Sequence, residues 1–156
     1  MICLILNFLF LLICGLAYGQ TWGGCVADSK YVRTVYDMNA PTPAEAADGK
    51  IIINPAKMRF FSRGHQKFIY WHECAHVVLG HSGATLAQEK EADCFAIRVL
   101  KNRERLTPVE SEQIMREISR LPGDWAHLPG PSRAAYLHRC GLGSRSGTGQ
   151  QRYRRY

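Results

Sequence analysis

An apolar run interrupted by Asn7 extends from Ile2 to Ile13, and the first 19 residues carry no charge apart from the amino terminus. Smaller residues, Cys14, Gly15, Ala17 and Gly19, follow the run. This pattern predicts a secretory signal over residues 1–19, cleaved near Gly19 ahead of Gln20; its missing basic n-region leaves an uncleaved amino-terminal anchor as the alternative. Beyond it, Tyr31 to Tyr36 alternates as a strand does, and Ala40 to Gly49, with two prolines, reads as a loop. Lys50 to Asn54 is β-branched and halts at Pro55, a second strand. The spacing then turns helical. Phe68, Ile69, Ala75, Val78 and Leu79 form part of one stripe over Gln66 to His81. Further helices are predicted from Leu86 to Lys101, from the Thr107-Pro108 start to about Arg120, and over Ser132 to Cys140, with a loop from Pro122 to Pro131. The expected fold class is α+β: a small β-sheet packed on helices, with a mostly helical C-terminal half.

Without the signal, 137 residues remain, enough for one small domain over 20–142 that depends on staples for stability. Four of those residues are cysteines, Cys25, Cys74, Cys94 and Cys140, and an even number in an exported chain predicts two disulfides. Cys74 and Cys94 lie in successive helical segments, so a Cys74–Cys94 bridge would clamp them together and leave Cys25–Cys140 to tie the ends. The formal charge is +7, but Arg145, Arg152, Arg154 and Arg155 sit in the Gly-, Ser- and Gln-rich stretch 143–156, and +3 is left without them. That stretch reads as a basic disordered tail, capable of weak contact with anionic surfaces; no specific nucleic-acid partner is implied.

Chemistry enters at His72, Glu73, Cys74, Ala75 and His76, which spell H-E-x-x-H. At about 100° per residue, helix positions i and i+4 share a face, so the two imidazoles can hold one Zn²⁺ while Glu73 faces an attacking water as general base. A catalytic zinc needs a third protein ligand, and the run QEKEADC offers Glu89, Glu91 and Asp93. Glu89 and Asp93 are four apart and share a face with Ala92 and Ala96, whereas Glu91 projects about 200° from Glu89. Glu89 is therefore the expected ligand, with Glu91 the alternative. Asp93 is the carboxylate expected to orient His72 through its other ring nitrogen. His81, at the end of the first helix, is not expected to be a ligand. Trp22, Trp71 and Trp125 are expected in the core or in a pocket wall.

H-E-x-x-H followed by E-x-x-x-D resembles the gluzincin metallopeptidases, and within them the family of the CAAX prenyl proteases and bacterial heat-shock membrane proteases. The stretches GKIIINP, HECAHVVLGH and EKEADCFAI carry the likeness, together with His127 and Arg133 in HLPGPSRAAYL. The resemblance implies a minimal zincin-like domain, one Zn²⁺ per chain, and a peptide or protein substrate. It implies that His127 hydrogen-bonds the oxyanion and that Arg133 holds the site or the substrate. The expected function is thus a zinc-dependent endopeptidase; a catalytically silent, zinc-stabilised binding module of the cell envelope is the alternative. The strand Lys50 to Asn54 is expected to offer an open edge to an extended substrate. The chain is expected to be exported, periplasmic or secreted, and to act as a monomer.

Overall fold

The computed structural model describes residues 24–83 and 85–142; the expected signal, Trp22 and the basic tail lie outside them. A short antiparallel hairpin opens the described chain, β1 (Val26–Ala27) with β2 (Lys30–Tyr31). Strands β3 (Thr34–Tyr36), β4 (Ala44–Ala47) and β5 (Lys50–Ile53) then form one sheet in the order β3-β5-β4. Helices follow: α1 (Pro55–Met58), α2 (Arg63–Val78), α3 (Leu86–Asn102), α4 (Pro108–Ile118) and α5 (Gly130–Arg139). The fold is α+β, with the sheet ahead of a helical second half.

The expected strand Tyr31 to Tyr36 is divided between β2 and β3. Val32 N–H turns to the carbonyl of Cys25, so Tyr31 pairs in the hairpin while Thr34 to Tyr36 run parallel to β5. The expected loop Ala40 to Gly49 contains β4. Its residues Ala-Glu-Ala-Ala favour strands weakly, but the adjoining Lys-Ile-Ile-Ile of β5 supplies a ladder partner through a two-residue turn. At that turn Asp48 and Gly49 have φ of 50° and 68°, the conformation for which Asp-Gly is a strong hairpin signal. The consequence for β5 is a further correction: it is the central strand, bonded parallel to β3 and antiparallel to β4, and has no open edge. The open edge nearest α2 belongs to β4.

Helix α2 is the centre of the molecule, packed on α3 most extensively and also on α4 and the sheet. Ile51 and Ile53 of β5, Phe68 and Tyr70 of α2, and Ile97 and Leu100 of α3 are fully buried in this core. Ser62 caps α2 by accepting His65 N–H, which starts the helix at Arg63, ahead of the expected Gln66. Gly64 lets α4 come close, since a Cβ there would lie 2.6 Å from the Glu110 carbonyl oxygen. Ala92 and Ala96 of α3, both fully buried, allow the same close approach on the other side of α2.

The disulfides join Cys25 to Cys74 and Cys94 to Cys140, with Cα–Cα distances of 5.8 and 5.1 Å. Neither expected pairing, Cys74–Cys94 or Cys25–Cys140, forms. Helix α3 meets α2 on the face carrying His72 and His76, and Cys74, two residues from each, projects away from that face toward β1. Cys94 follows Asp93 and turns away from α2 in the same manner, toward the end of α5. Among the described residues no helix is long and apolar enough to cross a membrane.

Candidate metal centre

Helix α2 places His72 and His76 one turn apart, with their Nε2 atoms 3.1 Å from each other. Helix α3 begins at Thr85, whose hydroxyl and Gln88 side chain form a capping box, so Glu89 falls in its first turn and Asp93 one turn later. Glu89 Oε2 lies 3.0 Å from His72 Nε2, and Oε1 lies 3.6 Å from His76 Nε2. The loop 122–129 adds His127, whose Nε2 is 2.8 Å from Glu89 Oε2. Asp124 braces that loop by accepting the backbone N–H groups of Ala126 and His127, each at 2.8 Å, with its carboxylate also 3.0 Å from His127 Nδ1.

The far ring nitrogens decide what these imidazoles present to one another. His72 Nδ1 donates to Asp93 Oδ1 at 3.0 Å, and Arg133 donates to the same carboxylate through Nε and Nη2, at 2.9 and 2.6 Å. His76 Nδ1 lies 3.0 Å from Nδ1 of His81. With Nδ1 of His72 committed as a donor to Asp93, Nε2 is the ring atom left to face Glu89. Glu89 Oε2 is accordingly a buried oxygen with no hydrogen-bond partner of good geometry, despite two ring nitrogens within 3.0 Å. Ring nitrogens and a carboxylate that converge at 2.8–3.6 Å need positive charge among them, from protons on the imidazoles or from a metal ion.

The acid–base properties express the same demand. Burial opposes charge on His72, but Asp93 and Glu89 outweigh it and push the pKa up to about 9. Burial would raise Glu89, yet His127, His72 and His76 together hold it far below the ordinary carboxylate value. His127 is raised, chiefly by Glu89 and against burial, with Asp124 also contributing. Donor atoms of His72, Glu89 and His127 lie within 4.8 Å of one another, a grouping able to hold a metal ion, and His76 Nε2 borders it.

Glu73 stands beside these groups. Burial raises its pKa, against the lowering pull of His72 and His76, and Ala46 of β4 donates its backbone N–H to the carboxylate. The outer edge of β4 therefore borders the site. A cleft of about 440 Å³ opens there, lined by Ala46, Asp48 and Glu89 together with His76, His81, Ser82 and Gly83. A family model described as Peptidase U49 matches residues 36–115, slightly more than half of the chain. The chain belongs to the Peptidase U49 family. The peptidase match runs from the last residue of β3 through most of α4, and so includes His72, Glu73, His76, Glu89 and Asp93 but neither His127 nor Arg133. No curated protein and no solved structure matches the chain.

The structure thus brings together His72, Glu73, His76, Glu89, Asp93, His127 and Arg133. It turns Glu91 away from the cluster of His72, Glu89 and His127, toward His81 Nε2 at 3.3 Å. Trp71 is buried in the core, whereas Trp125 is 83% exposed and lines neither core nor cleft. The contact of His81 with His76 was missed by helix periodicity because His81 lies beyond the last helical turn. Gly80 signals it: a glycine one residue past the C-cap folds the next residue back over the helix.

Proposed function

We propose that this peptidase-family chain is a zinc-dependent endopeptidase of the gluzincin type, with His72, His76 and Glu89 as metal ligands and Glu73 as general base. The observation that carries the reading is the buried Glu89 Oε2, without a hydrogen bond of good geometry among the described residues although imidazole nitrogens surround it, an arrangement that a cation satisfies. Two imidazoles and one carboxylate are the donor set of several catalytic zinc sites. When bound, Zn²⁺ supplies Lewis-acid polarisation of water and of the scissile carbonyl. Glu73 takes the proton of the attacking water on its carboxylate and returns it to the leaving amine; burial, which raises its pKa, strengthens it as a base. His127, held through Nδ1 by Asp124 and raised in pKa chiefly by Glu89, would donate from Nε2, when protonated there, to the oxyanion of the tetrahedral state. Arg133 acts on the site through Asp93 rather than on substrate. An extended peptide adding to the outer edge of β4 would lay its backbone along the cleft beside Glu73.

The two disulfides fit an oxidising compartment, and the amino-terminal run fits export with cleavage near Gly19. The test uses the full chain, with zinc measured by metal analysis and turnover by cleavage of a mixed peptide library. Glu73→Gln is expected to retain zinc and to lose about 10²–10⁴-fold in kcat. A Glu73→Gln protein as active as wild type would overturn the mechanism, and zinc-loaded wild type that cleaves nothing would favour the silent binding module.

A further inference from the structure

Helix α2 ends in a backbone motif that locks one more histidine onto the site. Leu79 is the C-cap, and Gly80 adopts φ of 65°. Gly80 N–H donates to the Val77 carbonyl at 3.3 Å, and His81 N–H donates to the His76 carbonyl at 3.0 Å. These are the two bonds of a Schellman motif, in which the residue two past the C-cap packs on the residue three before it. Here those residues are His81 and His76. In place of the usual apolar contact, their imidazoles meet Nδ1 to Nδ1 at 3.0 Å.

Proton counting gives this contact a direction. With His76 Nε2 given to the metal beside His72 and Glu89, its proton resides on Nδ1 and is donated to His81. His81 accepts on Nδ1 and must then carry its own proton on Nε2, where Glu91 Oε2 lies 3.3 Å away. Every ring nitrogen on this path has one role. His81 is also too far round to be a ligand, because its acceptor nitrogen is spent on the side of the His76 ring that faces away from Nε2. Its side chain is only 6% exposed although it follows the exposed Leu79 and Gly80, so the imidazole is held in place rather than solvated.

Resting on the metal-centre reading above, we propose that His81 is a positioning residue for the zinc ligand His76, with Glu91 fixing its tautomer. The path His76–His81–Glu91 parallels His72–Asp93–Arg133 on the other ligand, with a neutral imidazole where the latter has a carboxylate. Such partners orient a ligating imidazole and raise its basicity, and their loss typically weakens metal binding about 10–100-fold. Asn and Leu are nearly equal in size, and Asn alone keeps an acceptor close to the position of Nδ1.

The experiment measures Zn²⁺ affinity of the full oxidised chain by chelator competition, with the melting temperature of the metal-stripped protein as the check on folding. His81→Leu is expected to bind Zn²⁺ about 10–100-fold more weakly than wild type, with His81→Asn restoring most of the loss. Glu91→Gln is expected to show a smaller loss, because Glu91 is 58% exposed and its bond is screened by water. Wild-type affinity in a folded His81→Leu protein, or equal losses in the Leu and Asn variants, would overturn the positioning role. A wild type that binds no Zn²⁺, or a His76→Ala protein with undiminished affinity, would instead overturn the metal-centre reading and this inference with it.

Discussion

Asp93 serves two partners with one buried carboxylate. It accepts from His72 Nδ1 and from the Nε and Nη2 of Arg133, and burial, which would raise its pKa, is outweighed by both so that it stays ionised. The orientation of His72 on α2 thereby depends on a guanidinium supplied by α5. Arginine suits the position because its planar fork meets both carboxylate oxygens, which the single ammonium of lysine cannot do. Arg133→Ala would leave Asp93 charged and buried opposite a histidine alone. The expected cost is about 3–5 kcal/mol, read as a lower urea midpoint of the metal-stripped protein, with only partial recovery in Arg133→Lys. Unfolding unchanged in Arg133→Ala would mean that solvent already reaches the pair.

Between elements, the joint of α2 with α4 is sensitive to acid. Glu117 of α4 accepts the backbone N–H of Ser62, the N-cap of α2, and its Oε2 lies 2.9 Å from His65 Nδ1 one turn further on. Burial lowers the pKa of His65 below 6.5, despite the opposing pull of Glu117. For Glu117 burial is outweighed by Ser62 and His65, and its pKa falls below 4.5. Both folded values are depressed relative to the unfolded chain. The unfolded state thus binds more protons as pH falls, so stability is fully present above 6.5 and declines below it, His65 first and Glu117 below 4.5. The melting temperature should drop between about pH 7 and pH 5, and the drop should shrink in His65→Phe, which has nothing to protonate. An identical pH slope in that variant would remove His65 as the cause.

At the scale of the whole molecule, two covalent links close loops of similar size. Cys25–Cys74 spans 49 residues and fastens the amino-terminal hairpin to α2; Cys94–Cys140 spans 46 and fastens the end of α5 to α3. By loop-closure entropy each is worth about 4 kcal/mol, a large share of the 5–15 kcal/mol typical of a folded domain. The second link also holds α5, and with it Arg133, against Asp93. Paired Cys94→Ser and Cys140→Ser changes are expected to lower the unfolding free energy by up to about 4 kcal/mol and to weaken zinc binding. An unchanged unfolding curve in a reducing agent would show that the noncovalent packing suffices.

Much of this protein follows from short-range rules. Residues four apart in a helix share a face, and that rule alone put His72 with His76 and Glu89 with Asp93, while Pro55, Thr107 and the β-branched Lys50 to Ile53 marked element boundaries. The Asp48-Gly49 turn and Gly80 were legible signals too, since each states a backbone conformation that its neighbours must obey. Tertiary structure decided which faces meet. It made β4 a strand by giving weak strand formers a partner, and it sent Cys74 to Cys25 because α3 occupies the opposite face of α2. It brought Arg133 to Asp93 across 40 positions. Local periodicity says where a side chain points around its own axis. Only the packing of one axis on another determines what stands there to receive it.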